Sequence, residues 1–478
     1  MKLINLLFLL LFYTFSSLSA QNIEDWQGSW RGGIAIQGYE LPIVIHLQHK
    51  GNDWKGQMDS PAQGAFDIAM DTVHIHDNKL YFVINAIGGK FTGTYTNTGI
   101  EGIWHQGQDF QLNFERANAS NLLEDKKELI EQTLPQPPFP YIEEEVKVSN
   151  KKDKITLAGT LTYPNTKGKF PVAILIAGSG AQDRNSEILG HKPFLFIADF
   201  LTRNGIAVLR MDERGVGAST GSQTKATTAD FATDIASAVA FLKKHPRIDK
   251  KNIGLIGHSE GGIIAPMVAS KDKSIAFMIL LAAPGVKSTQ ILSDQVQEVS
   301  KSILEPQQLK AFTDLMSNLY TAIALDTKDQ KTAKDFAQAL APQFEALSLD
   351  TKTKTQMLNL HTFEMTIQNM IEIPWFRYFI KIDPSTYLKK ITCPTYVLQG
   401  EKDIQVLAEP NLNAIQTYLE MAGNDNFSVQ LYSKLNHLFQ TCHTCTIQEY
   451  GTLKESFSQE VMADMADWLK SNILNKKK

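Results

Sequence analysis

Gly257-His258-Ser259-Glu260-Gly261 sets one serine between a short apolar run, Asn252 to Ile256, and a segment of helical composition, Gly262 to Ala269. A serine driven sharply from strand to helix leaves no room for side chains two residues before and after it, and the two glycines meet that demand. The same turn exposes the hydroxyl and the next residue's N–H at a helix start. A chance glycine-rich turn has the same five letters, so the reading depends on partners. A serine hydroxyl is a weak nucleophile at neutral pH unless a general base, itself oriented by a third group, takes its proton.

Two later segments offer those partners. Gln399-Gly400-Glu401-Lys402-Asp403 follows the apolar run Thr395 to Leu398. An acid at the carboxyl end of a parallel strand shares a rim with Ser259. Asp403 is the expected acid and Glu401 its local rival. Ser433 to Phe439 follows the run Ser428 to Tyr432 and puts His437 on a loop able to fold back over that rim. The chain order Ser, Asp, His across successive strand ends makes coincidence a weaker account. His443 lies further from its strand, and His258 should diverge from Ser259 at so tight a turn and serve structure.

Acyl chemistry also needs donors for a developing oxyanion. The Glu260 N–H is one. The other is expected from Ala177-Gly178-Ser179-Gly180, with the Ser179 N–H ahead of that of Gly180. Neither G-x-x-x-x-G-K nor G-x-G-x-x-G follows, which disfavours a phosphate cradle. This chemistry requires no cofactor and no metal.

The elements that must hold these groups fall into zones. Residues 1–20 read as an export signal: Lys2, an apolar stretch from Leu3 to Leu11, and small residues Ser17 to Ala20 before Gln21. The apolar run is short for a membrane span. Residues 21–117 alternate with period two between glycine turns and predict a small antiparallel β barrel or meander. His74 and His76 share a strand face there, without an evident third ligand, and read as solvated. A polar helix, Asn121 to Thr133, and the stiff run Pro135 to Pro140 make 118–140 a linker. From 141 to 472 strands alternate with helices, predicting a doubly wound, mostly parallel α/β sheet. Within it, about 286–385 has helical composition and predicts an inserted cap, because so long a connection must carry structure of its own.

Lys and Arg total 47 against 51 Asp and Glu, a formal net charge of −4, without the clustered basic excess of a nucleic-acid binder. The length allows two or three domains. Of three cysteines, Cys393 reads as a small buried hydrophobe, and Cys442 and Cys445 as a local disulfide or idle pair, with a metal half-site behind.

Gly178 to Asn185, Asp212-Glu213-Arg214-Gly215-Val216-Gly217-Ala218-Ser219 and Gly257 to Gly262 resemble bacterial exported esterases of the α/β-hydrolase superfamily, related to prolyl-oligopeptidase-type serine peptidases. The resemblance covers nearly all of 141–472. It implies Ser259 as nucleophile, Asp403 as acid, His437 as base and a cap after the sixth strand. In that light Asp183-Arg184 either shapes the oxyanion loop or forms an ordinary ion pair. The expected function is an exported, periplasmic or secreted carboxylesterase acting on a small-molecule ester with a short acyl group. It has no nucleic-acid partner and no stable membrane insertion once the signal is removed. A peptidase is the nearest alternative, although such peptidases usually carry a propeller, and the N-terminal part is too short for repeated blades. A non-catalytic glycan or cell-envelope binding protein is the alternative from another class.

Overall fold

A computed structural model describes residues 26–36, 39–51, 53–60, 65–106, 109–117 and 134–474. The expected export signal, the helix of 121–133 and the terminal lysines lie outside the described residues. The chain divides into two compact units, residues 1–127 and 128–478.

In the first unit the period-two pattern becomes nine antiparallel strands: β1 (Gly28–Ile36), β2 (Tyr39–Lys50), β3 (Asp53–Ser60), β4 (Ala65–Ala69), β5 (Thr72–His76), β6 (Lys79–Ile84), β7 (Gly89–Tyr95), β8 (Ile100–His105) and β9 (Asp109–Arg116). They form one sheet in the order 4-3-2-1-9-8-7-6-5. It is a meander with two open edges, whose edge strand β5 approaches β3 without pairing. The inward residues Trp26, Trp30, Ile45, Leu47, Phe82, Phe91, Trp104 and Phe114 make its core. Gly89 is required where Trp104 lies, since a Cβ would stand 2.2 Å from the indole. His74 stacks on Tyr81 and His76 pairs with Asp77, both histidines exposed as expected.

The second unit is built on eight strands: β10 (Tyr141–Asn150), β11 (Ile155–Pro164), β12 (Phe170–Ile176), β13 (Ala207–Met211), β14 (Ile248–His258), β15 (Phe277–Leu281), β16 (Thr395–Gly400) and β17 (Phe427–Tyr432). Their order is 10-11-13-12-14-15-16-17. From β13 to β17 every neighbour is parallel, and the antiparallel β10–β11 hairpin finishes one edge. Crossovers α1 (Pro193–Arg203), α2 (Thr228–Leu242) and α3 (Gly261–Ala269) connect the early strands. A proline begins α1, and a Thr227–Asp230 capping box begins α2, as its Thr-x-x-Asp sequence dictates.

Between the sixth strand of this sheet, β15, and β16 come α4 (Ser288–Ser300), α5 (Pro306–Leu325), α6 (Ala333–Glu345), α7 (Leu349–Lys354), α8 (Leu360–Glu372), α9 (Pro374–Phe379) and α10 (Ser385–Leu388). This cap has a core of its own, in which Phe344 stacks on Phe363 beside Phe312, Leu319 and Ile367. The connections close with α11 (Ala408–Met421) and α12 (Gln459–Leu469).

Strand alternation sends Val172, Ile174 and Ile176 to one face and Ala173, Leu175 and Ala177 to the other. The first set meets α2, α3 and α11, and the second meets α1 and α12. Both faces are therefore apolar, and the central strands read as unbroken hydrophobic runs. Leu280 sits fully buried in the first layer. Leu280→Ala should destabilise the protein by about 2–5 kcal/mol through lost burial and a cavity, measured by denaturant unfolding.

Candidate active site

Ser259 has φ 53°, a left-handed conformation rare for a residue with a side chain. The backbone around it explains how that is held. A Cβ on Gly257 would lie 2.1 Å from the Gly261 carbonyl oxygen, and one on Gly261 would lie 2.2 Å from that of Ile176. The Ser259 N–H donates to Leu281 O at 2.9 Å, so the turn is pinned to the end of β15. α3 begins directly after Glu260, leaving Ser259 partly exposed at the carboxyl edge of the sheet.

The fold brings Asp403 and His437 together. His437 Nδ1 donates to Asp403 Oδ2 at 2.8 Å, with both residues buried. That bond fixes the imidazole tautomer, leaving Nε2 as the proton acceptor. The other Asp403 oxygen accepts from the backbone N–H groups of Gln405 and Val406, and Oδ2 also accepts from Gln399 Nε2. Glu401 is exposed beside Lys402 and takes no part. The two loops touch backbone to backbone: a Cβ on Gly400 would stand 2.3 Å from Leu435 O, and Lys402 N–H donates to that same carbonyl.

The histidine loop is shaped by two amides that sequence reasoning passed over. Asn436 Oδ1 accepts from Leu438 and Gln440 N–H, and Asn436 Nδ2 donates to Gln440 Oε1. Their signal was two amides flanking a histidine in an otherwise apolar loop. Cys442 and Cys445 are joined as a disulfide at the end of this loop, with Glu449 accepting the N–H groups of His443 and Cys445. Both sulfurs being bonded to each other, the Cys442–Cys445–Glu449 group offers no thiolate to a metal. His443 is exposed.

His258 joins the nucleophile turn to the base. Its Nε2 donates to His437 O at 2.9 Å, and the two rings lie 4.8 Å apart. Ser259 is thus adjacent in sequence to the ring packed on His437. Among the described residues, however, Ser259 Oγ makes no hydrogen bond to His437. Such bonds commonly tighten only when substrate is bound.

Gly178 packs on the nucleophile, where a Cβ would stand 3.1 Å from Ser259 Cβ. Ser179 and Gly180 are exposed beside it. Among the described residues, neither the Glu260 nor the Ser179 N–H is engaged in a hydrogen bond, so both remain available as donors. The loop after them is anchored by Arg184, which holds Asp212 through two parallel bonds of 3.0 and 2.8 Å and reaches Glu145. Asp183 instead accepts the N–H groups of Asn185 and Glu187. Arg184 therefore does both things the sequence left open: it forms a partly buried ion pair, and that pair fastens the loop. A surface groove of about 930 Å³ runs along α2 and the end of α3 and shares no residue with this site.

Glu260 has a second feature, unforeseen from sequence. Its buried carboxylate accepts from Thr228 Oγ1 at 2.7 Å and from Trp375 Nε1 of the cap helix α9 at 2.8 and 3.0 Å. Burial pushes this carboxyl up, against the pull of those donors and of the Ser179 hydroxyl. No local pattern marked Trp375, whose importance arises from a partner 115 residues away.

Burial, with the neighbouring His437, pushes the His258 imidazole down to about 4 from an ordinary 6.5. Between those values the unfolded chain binds a proton that the folded chain excludes, so stability falls as pH drops through that window. His191, fully buried, is pushed in the same direction. Denaturant unfolding of wild type and His258→Gln between pH 7 and 4.5 should show a shallower loss in the variant.

The family Hydrolase_4, described as serine aminopeptidase, S33, matches residues 193–441, just over half of the chain. Esterase EstD of Thermotoga maritima is 23% identical over 313 residues, covering 66% of this chain and 65% of that protein. Polyketide transferase grgF of a Penicillium species is 35% identical over 138 residues, covering 29% of this chain and 44% of its own. The chain thus spans less than two-thirds of the length of these curated relatives. The solved esterase Pf2001 of Pyrococcus furiosus covers 73% of this chain and 98% of its own, at 17% identity and a TM-score of 0.41. With the family match extending from α1 to the histidine loop, the chain belongs to the serine aminopeptidase S33 (Hydrolase_4) family of the α/β-hydrolase superfamily.

Proposed function

We propose that this hydrolase is a serine carboxylesterase acting on short acyl esters. The observation that carries the reading is the buried His437–Asp403 hydrogen bond, held beside a serine in left-handed backbone conformation. His437 Nε2 takes the Ser259 proton as Oγ attacks the ester carbonyl. The tetrahedral oxyanion rests on the N–H groups of Glu260 and Ser179. The same proton passes to the departing alcohol, leaving an acyl-serine. Water, deprotonated by His437, then releases the acid and restores the hydroxyl.

The named esterase among the relatives supports the ester reading. The family's own description favours a second one, cleavage of amides at a peptide N-terminus by the same acyl-enzyme route. Export to the periplasm or medium, with a mature chain from about Gln21, fits the composition of residues 1–20 and the Cys442–Cys445 disulfide. Among the described residues no helix is long and apolar enough to cross a membrane.

A fluorophosphonate should label the protein covalently, and Ser259→Ala should abolish the label; a folded wild type that resists it overturns the proposal in favour of a binding role. Asp403→Asn should lower kcat by about 10⁴-fold by imposing the wrong imidazole tautomer. Hydrolysis of short aryl esters should exceed that of aminoacyl anilides under matched conditions, and amide cleavage alone would assign the peptidase reading.

A further inference from the structure

Two elements converge on one side chain at the site. The Glu260 carboxylate accepts from Thr228 at the start of α2 and from Trp375 in the cap. Glu260 itself opens α3, where the helix dipole favours a negative group and offsets part of the cost of burying it. Its own N–H is one oxyanion donor in the reading above, and the Ser179 N–H is the other. The residue bearing the first of these donors is thus tied through its side chain to the cap.

The Trp375 end of the bond is equally constrained. Its ring stacks on Phe379 of the same helix at 4.8 Å, and Phe379 belongs to the sheet's core layer rather than to the cap's. Phe376, one residue on, is buried in the cap's own core. Helix α9 therefore packs both ways. A hydrogen bond from it to Glu260 reports whether the cap is seated.

We propose that Glu260 is a positioning residue that latches the cap, through Trp375, to the turn bearing the Glu260 oxyanion donor, so that a seated cap and an aligned donor are one state. The inference rests on the serine-hydrolase reading of the same site. Substrate entry requires the Trp375 bond to loosen, and closure restores the alignment of the Glu260 N–H. Chemistry is then confined to the closed form.

Trp375→Phe keeps the ring stacked on Phe379 and deletes only the donor. It should lower kcat for a short p-nitrophenyl ester about ten-fold, the equivalent of one buried hydrogen bond. KM should change less than two-fold, and the fluorophosphonate labelling rate should fall in parallel, because the phosphonyl oxygen uses the same donors. Glu260→Met, which removes the acceptor and keeps the backbone N–H, should behave likewise, and the double variant should be no worse than the poorer single one, since both break one latch. A raised KM with kcat and labelling unchanged would make Trp375 a wall of the pocket and overturn the proposal. So would losses in the double variant that multiply. Hydrogen exchange provides a readout independent of catalysis. Both variants should speed exchange in residues 374–379 and 260–264 even in a protein that no fluorophosphonate labels. Unchanged exchange in both segments overturns the latch while leaving the hydrolase reading intact, and failure of wild-type labelling overturns that reading alone.

Discussion

The backbone crossing at the serine turn is the constraint on which the rest depends. Gly257, Gly261 and the Ile176 carbonyl approach so closely that a Cβ at either glycine would lie about 2 Å from a carbonyl oxygen. That crowding forces Ser259 into left-handed backbone, a conformation costing on the order of 1–3 kcal/mol. The cost is borne by β12, the Ile253–Gly257 part of β14, and β15, whose residues are almost wholly buried. The rigid apolar sheet is what permits one strained residue at its edge.

Around that turn the polar groups are few and nearly all satisfied. Asp403 uses both oxygens on four donors, so its charge is stabilised before it orients His437. Asp212 and Asp234 are similarly enclosed, each facing an arginine, Arg184 and Arg214. Buried ion pairs of this kind add little net stability, because desolvation offsets attraction. What they add is geometry: one strings the loop that follows β12 to the end of β13, and the other ties the loop after β13 to α2.

Much of this was legible in the residues. The strand runs of 172–176, 253–256 and 277–281 announced a sheet buried on both faces, and the helical composition of 286–385 announced the cap. Asp403 and His437 could be chosen because strand ends in a parallel sheet share one rim. The N-terminal meander was legible from period-two alternation, but that alternation could not say whether the sheet closes. Closure depends on whether β4 and β5 find each other, which no single strand encodes.

The sequence by itself determined which chemistry was available: one serine in a glycine-flanked turn, one acid and one histidine after successive apolar runs, and cysteines spaced to bond locally. These are properties of residue type and short spacing, and local sterics and hydrophobic period carry them. Only the tertiary structure decided that Trp375 reaches Glu260, that Asn436 and Gln440 brace the base, and that His258 is held neutral against His437. Each joins side chains brought together by burial, often across a hundred residues or more. Their energies come from a low-dielectric interior that exists only once the chain has folded.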